Sequence, residues 1–213
     1  MNYDAFISYR HTPVDMAVAG RLHRLLETYR VPAPLVRQGV ARQIGRVFRD
    51  REELPTSSNL SANIDEALNN SRWLIVICTP RTPLSEWVAK EIHTFQALGR
   101  GDRIIAVLVE GDEQSSFPGP LREQPGVPVI DIRAGGLRQT LRRLNQAKLD
   151  ILPALLGCAA ADLKLRDRER AVRQEVLAAA AALLFVTAFV GANVYLWLQA
   201  NQAEALAVAE RDR

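Results

Sequence analysis

The chain alternates short runs of consecutive apolar residues with longer stretches whose apolar residues return every three or four positions, a pattern that predicts strands joined by covering helices. Residues 3–9 (YDAFISY) read as the first strand. Between Val14 and Arg30, the side chains of Val18, Leu22, Leu25, Leu26 and Tyr29 share one helical face, and Pro32 and Pro34 end that helix. Ala33 to Gly45 reads as a basic loop, RVFRD (46–50) as a short second strand, and EELPTSSN (52–59) as a connection. Ser58, Asn59 or Ser61 is placed to cap a helix over about 60–70, with Leu60, Ile64, Ala67 and Leu68 inward. WLIVICTP (73–80) is apolar almost throughout, as a strand buried on both faces must be.

The same alternation continues with a helix from Ser85 to Leu98, a Gly99-Arg100-Gly101 turn and a second buried strand, RIIAVLVEG (103–111). Asp112 to Pro128 reads as a loop, PVIDIR (128–133) as the last strand, and Leu137 to Leu149 as a helix with Leu137, Leu141, Leu144 and Leu149 inward. Five strands with helical crossovers predict an α/β domain, a flavodoxin-like doubly wound five-stranded parallel sheet, over residues 1–150.

Residues 151–175 form a linker containing the charged run DLKLRDRERAVRQE, and the pattern then changes character. Residues 176–198 carry no charge, and 23 of them in a helix extend about 34 Å, enough for the roughly 30 Å hydrocarbon layer of a bilayer. An Ala-rich bundle helix is the alternative, but this run is apolar on every side. Tyr195 and Trp197 sit at one end, while Lys164, Arg166, Arg168, Arg170 and Arg173 precede the other. The positive-inside rule then predicts a single-pass transmembrane helix in the cell's inner (plasma) membrane, with the N-terminal domain cytoplasmic. Asn193 within the span is either a hydrogen-bonding contact between helices or a polar residue tolerated near the interface. Residues 199–213 read as a polar helical tail without a stop signal, so a further domain is expected beyond Arg213.

Composition narrows the function. A net charge of +3, from 27 basic and 24 acidic residues without a basic stripe, argues against nucleic acid as a partner. Cys78 and Cys158 are too few and too isolated for a disulfide framework or a metal set, and they read as reduced thiols. His11, His23 and His93 are not at metal-ligand spacing, and no Gly-rich phosphate loop is present, so neither a metal nor a bound cofactor is expected. The N-terminus lacks the basic and apolar regions of a secretory signal.

Four segments in order, YDAFISYR, VFRDREELPTSSNLSANIDEAL, SRWLIVICTP and SEWVAKEI, resemble a bacterial TIR (Toll/interleukin-1 receptor) domain. The resemblance implies one of two functions: an adaptor that assembles signalling complexes, or an enzyme that cleaves NAD+ between ribose and nicotinamide. Cleavage leaves an oxocarbenium-like ribosyl cation, which a neighbouring carboxylate stabilises. Glu91 matches the catalytic glutamate of NAD-cleaving TIR domains, with Trp87 one helical turn before it as a wall of the pocket. The resemblance also implies that Tyr9 and Arg10 lie against the nucleotide, that Asp50 and Glu52 accept ribose hydroxyl hydrogens from a loop that also meets neighbouring subunits, and that Ser8 borders the pocket. Residues 49–53 can equally be a charged surface loop. The expected partners are NAD+ as substrate, other TIR domains through self-assembly, and the lipid bilayer; the biological role expected of such an enzyme is anti-phage defence or signalling.

Overall fold

A computed structural model describes residues 2–49 and 60–211, in two units, Met1–Lys164 and Leu165–Arg213. In chain order the first unit holds β1 (Tyr3–Ser8), α1 (Pro13–Thr28), α2 (Ala33–Arg37), β2 (Val47–Arg49), α3 (Leu60–Asn69) and β3 (Ser71–Cys78). It continues with α4 (Glu86–Ala97), β4 (Ile104–Leu108), α5 (Glu113–Ser116), α6 (Gly119–Arg122), β5 (Val129–Asp131), α7 (Leu137–Leu156) and the start of α8 (Ala160–Arg211).

The five strands are all parallel, in the order β2-β1-β3-β4-β5. The chain leaves β1 for β2 on one side and returns to β3 on the other. The reversal opens a crevice at the carboxyl ends of β1 and β3, where open α/β sheets bind ligands. Both faces are covered, as the unbroken apolar runs require. Ile7, Ile75, Ile77 and Val107 pack with α1 (Val18, Leu22, Leu26) and α7 (Leu144, Ile151, Leu152). Phe6, Leu74, Val76 and Ala106 pack with α3 (Ile64, Leu68) and α4 (Val88, Ile92, Phe95) on the opposite face. α1 also guards the sheet edge: Glu27 accepts the Val47 N–H at 3.0 Å, and His23 Nε2 lies 3.0 Å from the Val47 carbonyl. Side chains thereby occupy backbone groups of an edge strand that would otherwise invite another chain.

Three segments differ from the sequence expectation. Within the expected loop 33–45, α2 forms because Pro34 suits a first helical turn and Leu35 buries into the α1-side core. Within the expected loop 112–128, Asp112 and Ser115 complete a capping box for α5, and α6 starts with a proline in its first turn. α7 runs on to Leu156, with Pro153 tolerated near its end, and stops at Gly157, whose φ of +66° suits a residue without Cβ. Ile151, Leu152, Leu155 and Leu163 are all in the core, whereas Leu137, expected inward, is 41% exposed in the first turn of α7.

The second unit is helical to Arg211. By length and composition α8 can cross a membrane: its best 18-residue window has a mean hydropathy of 2.1 and none of it is buried in protein. Leu183, Leu184, Phe185 and Phe189 stand exposed there. Asn193 Nδ2 donates to Phe189 O at 2.8 Å, so the one amide in the apolar run is served by its own helix.

Candidate functional site

Side-chain parity starts the site. Ser8 is the last residue of β1 and shares its face with Phe6, so it points to the α3–α4 side of the sheet. Beyond β3, the Thr79 N–H donates to Thr82 Oγ1 at 2.8 Å, and that hydroxyl donates to Ile77 O at 3.2 Å. The tight turn delivers Ser85 as the N-cap of α4, accepting the Val88 N–H at 3.4 Å. α4 then lays Val88, Ile92 and Phe95 on the sheet, and Glu91 falls on the same inward stripe.

Ser8 Oγ donates to Glu91 Oε2 at 2.5 Å, between residues 83 apart in sequence, and Glu91 is only 8% exposed. The fold therefore holds a carboxyl at the rim of the switch-point crevice, bonded to the end of the first strand. A charge so withdrawn from water is costly unless it is bonded. In return it acts more strongly on a neighbouring cation than a solvated carboxylate can.

The other expected site residues are placed differently from one another. Tyr9 points to the opposite face, into the α1-side core, with its ring 5.1 Å from that of His11. Arg10 stays at the crevice rim, where Nη1 donates to Arg81 O at 2.8 Å. Trp87 is 60% exposed with Lys90 Nζ 5.6 Å from its ring centre, so its indole is a surface group one turn from the buried Glu91. Asp50 and Glu52, with the cap positions Ser58 and Asn59, lie outside the described residues. His23 serves the β2 edge, and His93 is exposed. Burial with Asp15 nearby pushes the Cys78 thiol far above its ordinary range, which makes it a core residue and no nucleophile.

One group at this end of the sheet escaped the sequence reading. Asp15, in the first turn of α1, is 0% exposed, and neither carboxylate oxygen has a hydrogen-bond partner among the described residues. Burial pushes its carboxyl up; Glu110 adds to the effect, and the Thr12 hydroxyl with Arg81 and Arg10 opposes it. In sequence an acid three residues after Thr12-Pro13 reads as an ordinary helix-start charge, worth about 0.3–1 kcal/mol against the macrodipole. Leaving a buried polar group unpaired costs about 1–3 kcal/mol, so the unfavourable effect wins. With the folded value above the unfolded one, the neutral form is favoured by folding, and stability falls as pH rises from the unfolded value through the folded value. Asp15→Asn is therefore expected to raise the melting temperature by a few degrees at pH 7.5 and by less near pH 4, measured by circular dichroism at both pH values. An equal or negative shift at pH 7.5 would mean that Asp15 is paired after all.

Two surface pockets, of about 330 Å³ beside Phe117, Leu121 and Val129 and about 370 Å³ beside Asp131, Arg143 and Lys164, include neither Ser8 nor Glu91. The crevice is marked out by topology and by its buried acid.

A 2-1-3-4-5 parallel sheet, with a buried carboxyl bonded to the end of its first strand, defines a flavodoxin-like domain. The chain belongs to the TIR domain family, whose model matches residues 5–147. It is 33% identical over 112 residues to the NAD(+) hydrolase ApTIR of an Actinoplanes species, a stretch that is 53% of this chain and 15% of that much longer relative. Among solved structures it overlaps the TIR domains of the activated Roq1 resistosome recognising the effector XopQ, with a TM-score of 0.40, 18% identity and coverage of 78% of this chain and 80% of that one. A metazoan TIR-STING receptor from C. gigas in complex with 2',3'-cGAMP overlaps with a TM-score of 0.44 at 22% identity, covering 67% and 39%. The strand order and the family match, rather than these overlaps, define the fold.

Proposed function

We propose that this chain is a membrane-tethered NAD+ glycohydrolase in which Glu91 is the catalytic carboxylate. The observation that carries the reading is the buried Glu91 carboxyl at the crevice, bonded to the end of β1. Its likeness to a relative named as an NAD(+) hydrolase supports the same chemistry. In the proposed reaction the bond between the ribose C1′ and the nicotinamide nitrogen breaks, and its electron pair leaves with neutral nicotinamide. The cation left on the ribose is stabilised by Glu91. Water adds to C1′ and releases a proton, giving ADP-ribose; an internal nucleophile in place of water gives a cyclic product.

The tether has a role in this proposal. α8 would anchor the TIR domain on the cytoplasmic side, and confinement to a membrane raises the effective concentration of domains that must assemble to act. An enzyme of this kind depletes NAD+ in its own cell, which suits a triggered defence effector and requires that isolated copies stay quiet.

The test is nicotinamide release from NAD+ by the whole chain reconstituted in liposomes at increasing protein-to-lipid ratio, with Glu91→Ala beside it. Release per chain that rises with the ratio and vanishes in Glu91→Ala is expected. Absence of release at every ratio would leave the TIR domain as a non-catalytic scaffold that recruits other TIR proteins.

A further inference from the structure

Ser8 was expected only to border the substrate pocket, and strand-end serines commonly bond to nearby backbone. Here the hydroxyl is instead spent on a carboxyl carried by a helix 83 residues away, in a contact that is buried at both ends. Ser8 itself is 1% exposed, so a substrate in the crevice has little of its surface to touch. A helix that needed only to cover the sheet would carry an apolar residue at position 91, as it does at 88, 92 and 95. We propose that Ser8 is a positioning residue: it fixes the plane and rotamer of Glu91 so that the carboxylate faces the ribose carbon as positive charge develops there. This rests on the glycohydrolase reading above.

The physical basis is directional. A glutamate has three side-chain torsions, and an acid at the end of a helix turn samples several rotamers unless a bond selects one. β1 is a confined place from which to select it, because the strand lies inside the sheet, pairing with β2 on one side and β3 on the other. Ser8 is itself in register with Val76 of β3. Its backbone is therefore held by the β1–β3 ladder, and the bond transfers that rigidity to α4. Groups that orient a reacting side chain in this way are worth roughly 10- to 100-fold in rate when removed.

Substrate contact and positioning separate kinetically. Loss of a substrate contact raises KM, whereas loss of orientation lowers kcat at nearly constant KM. With the whole chain in liposomes, Ser8→Ala is expected to lower kcat for nicotinamide release roughly 10- to 100-fold with KM within about twofold. Ser8→Thr, which keeps the hydroxyl, is expected to recover most of kcat. In a Glu91→Gln background, adding Ser8→Ala is expected to change the residual rate by less than about twofold, because the two residues act as one unit. Circular dichroism of each variant checks that the fold is kept.

A Ser8→Ala defect confined to KM would overturn the inference and return Ser8 to the substrate pocket, while leaving the glycohydrolase reading intact. Full additivity with Glu91→Gln would overturn it as well. Absence of release from the wild type would overturn both readings together.

Discussion

In the Glu91→Gln protein, nicotinamide release is expected to fall by roughly two to three orders of magnitude while the domain melts within a few degrees of the wild type. The size follows from Coulomb's law: a unit charge about 4 Å from a developing ribosyl cation, at an effective dielectric near 20, is worth about 4 kcal/mol. Each 1.36 kcal/mol is about tenfold in rate, so about 4 kcal/mol is close to a thousandfold. Glutamine keeps the shape and an oxygen that accepts the Ser8 hydroxyl, so the packing of Val88, Ile92 and Phe95 is spared. Only the charge is lost, and the stability change is small because a buried charge is also a cost in the free protein. Turnover and melting should thus separate cleanly. A Glu91→Gln protein that keeps its turnover would place the chemistry on another group, whereas one that unfolds would show the carboxylate to be structural.

The second large effect lies two residues upstream of Ser8. Phe6 is fully buried on the α3–α4 side of the sheet, its ring stacked on Phe48 at 5.1 Å, and Phe48 meets Tyr3 edge-on at 5.3 Å. Removing a buried aromatic ring loses its transfer free energy and leaves a cavity that parallel strands held by ladders on both sides cannot collapse to fill. Phe6→Ala is expected to cost about 3–5 kcal/mol, which for a domain of this size lowers the melting temperature by about 6–20 °C. That is a large share of the roughly 5–15 kcal/mol that keeps a domain folded. Thermal melts followed by circular dichroism decide it. A loss under about 1 kcal/mol would show that α3 and α4 settle onto the sheet far more freely than close packing allows.

The two predictions meet at one place, since Phe6 and Ser8 share a strand face and Glu91 lies on the helix stripe covering it. The chemistry proposed for the crevice thus depends on the packing beneath it. By contrast, burial raises the Asp15 carboxyl on the α1 side of the sheet and weakens the domain at neutral pH, with the Thr12 hydroxyl, Arg81 and Arg10 offsetting only part of that cost.

Much of this was legible in the amino-acid sequence. Apolar runs at 73–80 and 103–111 and helical spacing at 14–30 determined a doubly wound parallel sheet, because only strands covered on both faces can be apolar throughout. The uncharged stretch 176–198 determined a helix long enough for a bilayer in the same way. Position 91 was named only through the resemblance of SEWVAKEI to the family's motif, with Trp87 one turn before it. What the linear chain could not express was which side chains at the carboxyl edge of the sheet would lose water and what they would meet there. Trp87 and Glu91 are one turn apart, yet one is exposed and the other buried; Ser8 and Tyr9 are adjacent, yet they enter opposite cores. Asp15 has the sequence of a helix-start acid and the surroundings of a core residue. Periodicity records only neighbours along the chain, whereas desolvation and the Ser8–Glu91 bond come from segments brought together by the sheet order, and those only the tertiary structure decided.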